Sequence, residues 1–574
     1  MSPPSSKVQI RSVLVVGIVC FLAIVPFFWW GIPSGHDFEF HMFSWMEVVG
    51  QWKQAVVYPR WAALAHWGYG EARFLFYPPA SWTLGAALGA VLPWKIAPGA
   101  FCWLVLTVSG LSMYRLAREW LPARDAIFAA TLYAVNPYHL LIVYWRSAFA
   151  ELLAAVLLPF LMLRILRLKE PGFRPVLYLS ATLAAAWLTN APAAVMIHYS
   201  AAGLATILAL LERSWRPLTR TAIAVVLGAG LASFYLVPAA YEETWVNIGE
   251  VLSPGVRPQD NFLFTHIADP EHNRFNLLAS TIAVVEIGTL ASAIWFSSSW
   301  RARQRRPWIL LALWGGLAAL AMLSITNLLW QHLPKLRFVQ LPWRWMLCLN
   351  AALALLLAMG TRRWSSRVVI CAALLAVVIV AGYRIQPPWW DTAADIEEMH
   401  EAVSDGTGYE GTDEYVPAGA DASQLNKDQP LVVASSGRRV RTDIAEWRAV
   451  ERHLVILANA PELLTLRLFN YPAWEVTVNG ERVATLTTEV TGQMIIPVAA
   501  GRSDIRIHFG RTRDRTIGGV VSVLSLGLLV IAWVKTTKTP ETKQAESPVT
   551  SASTVVQAFD LNHRGHGGHG GERT

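Results

Sequence analysis

Long apolar runs separated by short polar turns recur along most of the chain, at 12–32, 79–93, 97–114, 126–145, 147–163, 175–211, 219–240, 277–297, 308–326, 343–360, 368–386 and 516–534. An α-helix rises about 1.5 Å per residue, so about 20 apolar residues match roughly 30 Å of bilayer hydrocarbon. The run 175–211 is too long for one crossing and is broken at Asn190-Ala191-Pro192, so it divides in two. The pattern predicts a polytopic α-helical membrane protein of about 12–13 spans. Lys7 and Arg11 precede the first run, and bulky Phe27–Trp30 stands where a signal peptide would carry small residues for cleavage. That argues for a retained first helix with a cytoplasmic N-terminus.

Charge orients the spans. Basic clusters at Arg164/Arg167/Lys169/Arg174, Arg301/Arg303/Arg305/Arg306 and Arg362/Arg363/Arg367 mark the cytoplasmic side. The segments 33–78, 241–276 and 327–342 then face outward. Strict alternation from the N-terminus contradicts this, because it places 164–174 outside. One candidate must therefore fail to cross, and the short run 79–93 is expected to be re-entrant or interfacial.

From Gln386 to Arg513 the pattern changes to polar, Gly-containing stretches with alternating segments at Leu464–Leu468, Glu475–Val478, Met494–Val498 and Asp504–Phe509. Asn479-Gly480 is a type I′ hairpin signal. The division expected is a multi-span domain over 1–386 with a catalytic-type first outer loop at 33–78. A small β-rich, sandwich-like extracytoplasmic domain follows over 387–513, then a C-terminal transmembrane helix over 514–535. The polar tail 536–574 ends in a His/Gly run and is expected to be disordered.

Composition agrees: 54% hydrophobic, 15% charged and a mean hydropathy of +0.37, against about 25% charged residues in soluble domains. Many of the 27 Trp stand at the ends of apolar runs, where indoles settle at a bilayer interface. The net charge of +8 is carried largely by arginines in short loops, and no aromatic-basic groove points to nucleic acid. Cys20, Cys102, Cys348 and Cys371 all lie in apolar runs and read as small buried hydrophobes. No Walker A, GxSxG or HExxH occurs, which weakens nucleotide-driven transport and the common hydrolases.

Ionisable residues near a membrane are costly, so each is a candidate. The densest cluster, Ser34-Gly35-His36-Asp37-Phe38-Glu39-Phe40-His41, directly follows the first span. His36, Asp37 and His41 could supply a base or ligate a divalent cation such as Mg or Mn. Against this stands a capped interfacial helix with solvated charges. Arg60, in Tyr58-Pro59-Arg60-Trp61, could hold a phosphate, with Arg73 less well placed; headgroup anchoring is the plainer reading. Arg146 and Glu151 flank a span and are expected to form a structural ion pair. Lys335, Arg337 and Arg344, beside aromatics, suit an anionic headgroup or pyrophosphate. His198 reads as a hydrogen-bonded core histidine.

These motifs carry a resemblance. An acidic motif after the first span, a long outer loop and Tyr77-Pro78-Pro79 opening the next run resemble the GT-C superfamily of polyprenyl-phosphate-sugar glycosyltransferases. Tyr58-Pro-Arg-Trp, Gly68-Tyr-Gly, Phe76-Tyr-Pro-Pro and Leu341-Pro-Trp-Arg344 resemble bacterial membrane proteins labelled 6-pyruvoyl-tetrahydropterin synthase-related. Asn470-Tyr-Pro-Ala-Trp474 with Val478-Asn-Gly480 is similar to the outer β-domain of related glycosylation proteins. The pterin label carries no chemistry here, since no zinc-binding His cluster of a pterin synthase is visible. The resemblance implies that Asp37 acts as base on an acceptor hydroxyl or holds a metal, with His36 or His41 assisting. It implies that Arg60, Arg337 or Arg344, with Tyr77, holds the donor phosphate. The pattern is His-Asp rather than paired acids. Sugar transfer from a lipid-linked donor to a glycan, lipid or protein, at the outer face of a bacterial inner membrane, is the activity implied. A lipid or polysaccharide transporter, or a non-catalytic scaffold, is the alternative.

Overall fold

Asn190 shows how the sequence sets helix boundaries. It is extended (φ −158°, ψ 121°), ends the helix Arg174–Thr189 and caps Ala191–Glu212. Its side-chain oxygen accepts from the Ala193 N–H at 2.9 Å, while Pro192 fills the first turn, where its missing N–H is not needed. The computed structural model describes residues 6–438 and 440–538. The expectation for the His/Gly tail lies outside the described residues.

Among the described residues, nine helices are long and apolar enough to cross a membrane. Two bent pairs, Arg216–Leu231 with Ser233–Trp245 and Arg305–Ala321 with Ser324–His332, raise the number to eleven. Counting the 16-residue helix Arg174–Thr189 as a crossing gives twelve, the lower end of the 12–13 expected. The run 79–93 is the one that falls away. It forms Pro79–Gly89, of 11 residues, about 16 Å long at 1.5 Å per residue, and packs on the outer helix Phe38–Lys53. Removing it reconciles alternation with charge. The basic loops now share one end of the bundle, and contacts between them agree: Arg167–Glu119 (2.7 Å), Arg367–Asp125 (2.7 Å), Arg306–Glu212 (3.2 Å) and Arg174 donating to the Thr536 carbonyl (3.0 Å).

The β-domain closes the other end. One antiparallel sheet orders Arg441–Trp447, Glu451–Ala458, Gly501–Phe509, Trp474–Val478 and Glu481–Arg482; a second orders Val432–Ala434, Glu462–Phe469, Gln493–Val498 and Leu486–Thr487. Alternate residues such as Leu454, Ile456, Leu464, Leu466, Ile505 and Ile507 point inward and are fully buried, as two facing sheets require. Asn479 (φ 52°) and Gly480 (φ 86°) make the expected tight turn. The alternating segments read from the sequence all become strands. The strands Arg441–Trp447 and Glu451–Ala458 and the helix Ala393–Ser404 were not anticipated.

Bundle and β-domain are joined through the first outer loop. Trp61, Tyr69, Leu75 and Phe76 belong to the same apolar core as the sandwich residues Tyr471, Trp474 and Phe509. The Phe469 N–H donates to the Tyr69 carbonyl at 3.0 Å. At the seam, fully buried Glu71 pairs with Arg73, lies 3.0 Å from His66 Nε2 and accepts the Thr412 N–H at 2.8 Å. Arg73 also donates to Ser44 Oγ at 3.0 Å and lies over the Phe40 ring. Glu47 of the helix Phe38–Lys53 accepts the Tyr409 hydroxyl at 2.5 Å and the Leu64 N–H at 3.3 Å. Short strands add Ile32–Pro33 paired with Trp390–Asp391.

Two outcomes follow from this architecture. Burial raises the Glu71 carboxyl, but Arg73 and His66 outweigh it and hold it at about 2 against a reference of 4.5. Its stabilisation is therefore complete above about pH 4.5 and is lost as pH falls towards 2, a contribution of about 3 kcal/mol. Glu71→Gln should lower the unfolding temperature in detergent at pH 7, with the difference shrinking on acidification; an equal loss at all pH values contradicts the ion pair. Secondly, Asp428→Cys should react with a membrane-impermeant maleimide in intact cells and Arg303→Cys only after permeabilisation. Three of the four native cysteines are buried and the fourth is half-buried, so background labelling is low; reversed labelling would invert the orientation.

Candidate active site

The acidic motif is held by backbone contacts across a long sequence gap. The Gly35 N–H donates to Ser147 Oγ at 3.0 Å, the Ser147 hydroxyl donates to the Pro33 carbonyl at 2.9 Å, and the Asp37 N–H donates to the Arg146 carbonyl at 2.9 Å. A Cβ at residue 35 would overlap the Arg146–Ser147 backbone, so glycine is what lets the two segments touch. Ser147 is left-handed (φ 50°) and follows a π-helical turn, Ile142–Arg146. Such turns are frequent at functional sites.

This contact turns Arg146 towards two carboxylates. It pairs closely with Glu151, and its Nη2 lies 3.6 Å from Asp37 Oδ2. Glu151 also accepts the Tyr138 hydroxyl and Arg344 Nε, the latter at 3.1 Å. Arg344 Nη1 donates to the Val339 carbonyl at 2.7 Å and to Gln340 Oε1 at 3.0 Å. The Trp343 ring lies 5.0 Å from the Arg146 guanidinium carbon. Arg146, Glu151 and Arg344 are buried, whereas the Asp37 side chain is 38% exposed. Asp37 is thus the accessible member of a chain of four charges.

Asp37, Glu151 and Arg344 border a cavity of about 390 Å³ that also meets His36, Tyr77 and Glu414. Asn190, Ala191 and Pro192 reach it too, so the positive end of the helix Ala191–Glu212 adds to the Arg344 guanidinium there. His36 packs edge-on against Phe275, ring centroids 4.6 Å apart. Burial pushes its pKa down; Asp37 pulls the other way.

The structure gathers His36, Asp37, Tyr77, Arg146, Glu151 and Arg344. Four other candidates lie elsewhere. His41 is fully buried among Phe40, Trp45, Tyr77 and Phe149, and burial lowers its pKa to about 4. Asp37 and His41, four residues apart, do not share a helical face, because Asp37 is the non-helical N-cap (φ −103°) of Phe38–Lys53. Among the described residues no three His, Cys, Asp or Glu side chains are grouped to hold a metal ion. The candidate set His36, Asp37 and His41 therefore does not fit Mg or Mn. Arg60 stacks on Tyr58 at 4.3 Å and borders a different cavity. Arg337 is exposed and lies over Phe338. Arg73 is committed to Glu71. The Arg146–Glu151 pair is present, but it is part of the cavity's charge chain rather than a separate brace. Glu414 escaped sequence reading because its polar surroundings, Gly411 to Ala418, have no periodicity that marks a buried side.

The sequence model of the 6-pyruvoyl-tetrahydropterin synthase related domain, a membrane protein, matches residues 74–386. The chain belongs to this family. For this family member no curated protein matches. Among solved structures it is similar to ArnT from Cupriavidus metallidurans bound to undecaprenyl phosphate, at 12% identity and a TM-score of 0.43, over 70% of this chain and 76% of that one. It is also similar to the oligosaccharyltransferase AglB from Archaeoglobus fulgidus in complex with an inhibitory peptide and a dolichol-phosphate, at 12% identity and a TM-score of 0.39. That match covers 70% of this chain and 56% of the archaeal one. The apo form of the Archaeoglobus fulgidus oligosaccharyltransferase gives 13% identity and a TM-score of 0.38, over 71% and 57%. The chain spans little more than half the length of the archaeal proteins.

Glu414 provides a test of the cavity's polarity. Burial pushes its carboxyl up to about 7 from 4.5, with Glu71 and Asp413 adding and Arg73 opposing. The raised value means no penalty below about pH 4.5 and a growing one as pH rises through 7, about 3 kcal/mol when complete. Glu414→Gln should therefore raise the unfolding temperature at pH 8 and leave it nearly unchanged at pH 4. Equal effects at both pH values contradict a buried, neutral carboxyl.

Proposed function

We propose that this protein transfers a sugar from a polyprenyl-phosphate donor to a hydroxyl of a lipid, polymer or protein acceptor at the outer face of a bacterial inner membrane. The observation that carries the reading is convergence: Asp37, Glu151 and Arg344, from three distant segments, border one cavity between the membrane helices and the segment 412–415, and Arg146 bridges Asp37 and Glu151. A cavity at that level suits a donor whose tail lies in lipid and whose sugar reaches water.

The acceptor heteroatom attacks the anomeric carbon and displaces the phosphate, so the glycosidic bond forms as the carbon–oxygen bond to phosphate breaks. Asp37, exposed to the cavity and oriented by Arg146, takes the acceptor proton. Such general-base assistance contributes about 10²–10⁴-fold. The leaving polyprenyl phosphate gains charge, which Arg344 and the N-terminus of Ala191–Glu212 are placed to stabilise. Glu151 holds both arginines, so their donors are oriented before the substrate arrives. No step is assigned to a metal, because the expected ligands do not gather. Lipid-linked donor and membrane lipids are the partners this reading requires, and the segment carrying Thr412, Glu414 and Tyr415 forms the acceptor side of the cavity.

The test uses membranes carrying the overproduced chain, with radiolabelled polyprenyl-phosphate hexoses and pentoses as donors. Asp37→Ala and Asp37→Asn should each reduce transfer by about 10²-fold or more with unchanged membrane insertion. Arg344→Gln should weaken donor use while Arg337→Gln leaves it intact. Unchanged transfer in both Asp37 variants removes Asp37 from the mechanism, and failure of every donor with the native chain removes the reaction itself.

A further inference from the structure

A second cavity, of about 320 Å³, lies where the first loop, the β-domain and the last helix meet, lined by Tyr58, Arg60, Val450, Phe509, Gly510, Arg511 and Arg515. Three guanidiniums and no carboxyl line it. Arg515 is already engaged: it grips Glu242 through Nε (2.7 Å) and Nη2 (2.8 Å) and donates from Nη1 to the Gly510 carbonyl. Glu242 is thus the carboxylate that offsets the charge of Arg515. Arg60 Nη1 is buried with no hydrogen-bond partner, and Arg511 is exposed at the mouth. Leaving a buried guanidinium donor unpaired is costly, and an anion would satisfy it.

The surroundings indicate where that anion comes from. Arg511 and Arg515 stand at the outer end of Arg513–Lys538, a helix only 6% buried within the molecule over its membrane window. Tyr58 packs on Phe234 from the bent helix pair. The cavity therefore sits at headgroup level beside a helix whose sides face lipid. Arginine suits phosphate because its planar fork binds two oxygens at once.

We propose that Arg60, Arg511 and Arg515 form a second, non-catalytic anion site that seats the phosphate headgroup of a membrane lipid against the outer end of the last helix. The site is separate from the Asp37 cavity and stands whether or not Asp37 takes part in sugar transfer. Two lipids present this chemistry: an anionic phospholipid with a phosphodiester, and a polyprenyl carrier with a phosphomonoester.

The full chain in detergent micelles is titrated with fluorescent phosphatidylglycerol, then challenged with undecaprenyl phosphate, phosphatidylcholine or inorganic phosphate. Saturable phosphatidylglycerol binding is expected, weakened about tenfold or more in Arg60→Gln and Arg511→Gln, the loss of one charge-assisted contact each. Arg60→Lys should restore part of it. Displacement by undecaprenyl phosphate at lower concentration than unlabelled phosphatidylglycerol assigns the site to the carrier; the reverse order assigns it to bulk phospholipid. Arg511 is exposed, so its variant should keep the native unfolding temperature and separates lost binding from lost fold. Equal binding of phosphatidylcholine, binding by inorganic phosphate with no competition from either lipid, or native affinity in both variants overturns the proposal.

Discussion

The buried Glu71–Arg73 pair is the contact on which the rest of the outer structure depends. A charged pair removed from water gives little net stability unless its remaining donors and acceptors are satisfied. Here they are: Glu71 has His66 and Thr412, and Arg73 has Ser44 and two aromatic faces. Those partners belong to the first loop, the helix Phe38–Lys53 and the β-domain arm, so one network fixes three segments at once. Glu47 repeats the arrangement a few residues away, reaching Tyr409 of the same arm. Because the helix Phe38–Lys53 begins at Asp37, fixing it also fixes the cavity's accessible carboxylate. The constraint runs from a buried polar seam to the position of one exposed oxygen.

The cavity itself is organised by sharing rather than by pairing. Glu151 receives two arginines and a tyrosine hydroxyl, while Arg146 divides its charge between Glu151 and Asp37. A single ion pair would leave each partner free to swing. A shared carboxylate fixes the spacing of both guanidiniums and leaves donors on Arg344 turned to backbone and Gln340. Such an arrangement lowers the reorganisation needed when charge develops on a leaving group. It also explains why Asp37, joined to Arg146 only at 3.6 Å, is the member least committed to structure.

Much of this was legible in the sequence, for identifiable reasons. Spans are visible because hydrocarbon demands an uninterrupted apolar length, and the Asn190-Ala-Pro192 break because a cap and a first-turn proline have a local signature. The Asn479-Gly480 turn is visible because its φ values exclude most residues. Asp37 stood out because charge beside a span is expensive. What was hidden depended on contacts across the fold. His41 has the right spacing from Asp37 for one helix face, but the helix starts after Asp37. Arg60 and Arg344 look alike in sequence, each beside aromatics and proline, and only folding sends one to the last helix and the other to Glu151. Strand Glu451–Ala458 was masked by charged residues at its start, and only folding brought half-buried Glu414 to the cavity.

The two arginine sites differ in a way that bears on how each can be used. Around Arg146 and Arg344 the guanidiniums are matched by Glu151 and Asp37, so a phosphate entering there meets a nearly neutral, oriented set and can leave again. Around Arg60, Arg511 and Arg515 positive charge exceeds negative, and one donor is unsatisfied. Coulomb attraction at partly buried distances is several-fold stronger than in bulk water, so an excess of charge favours retention over turnover. Matched charge suits a site through which a phosphate passes; unmatched charge suits one in which a phosphate stays. The last helix, whose outer end is held to the molecule through Arg515 and Glu242, would carry such a resident headgroup beside that ion pair and the adjoining edge of the β-domain.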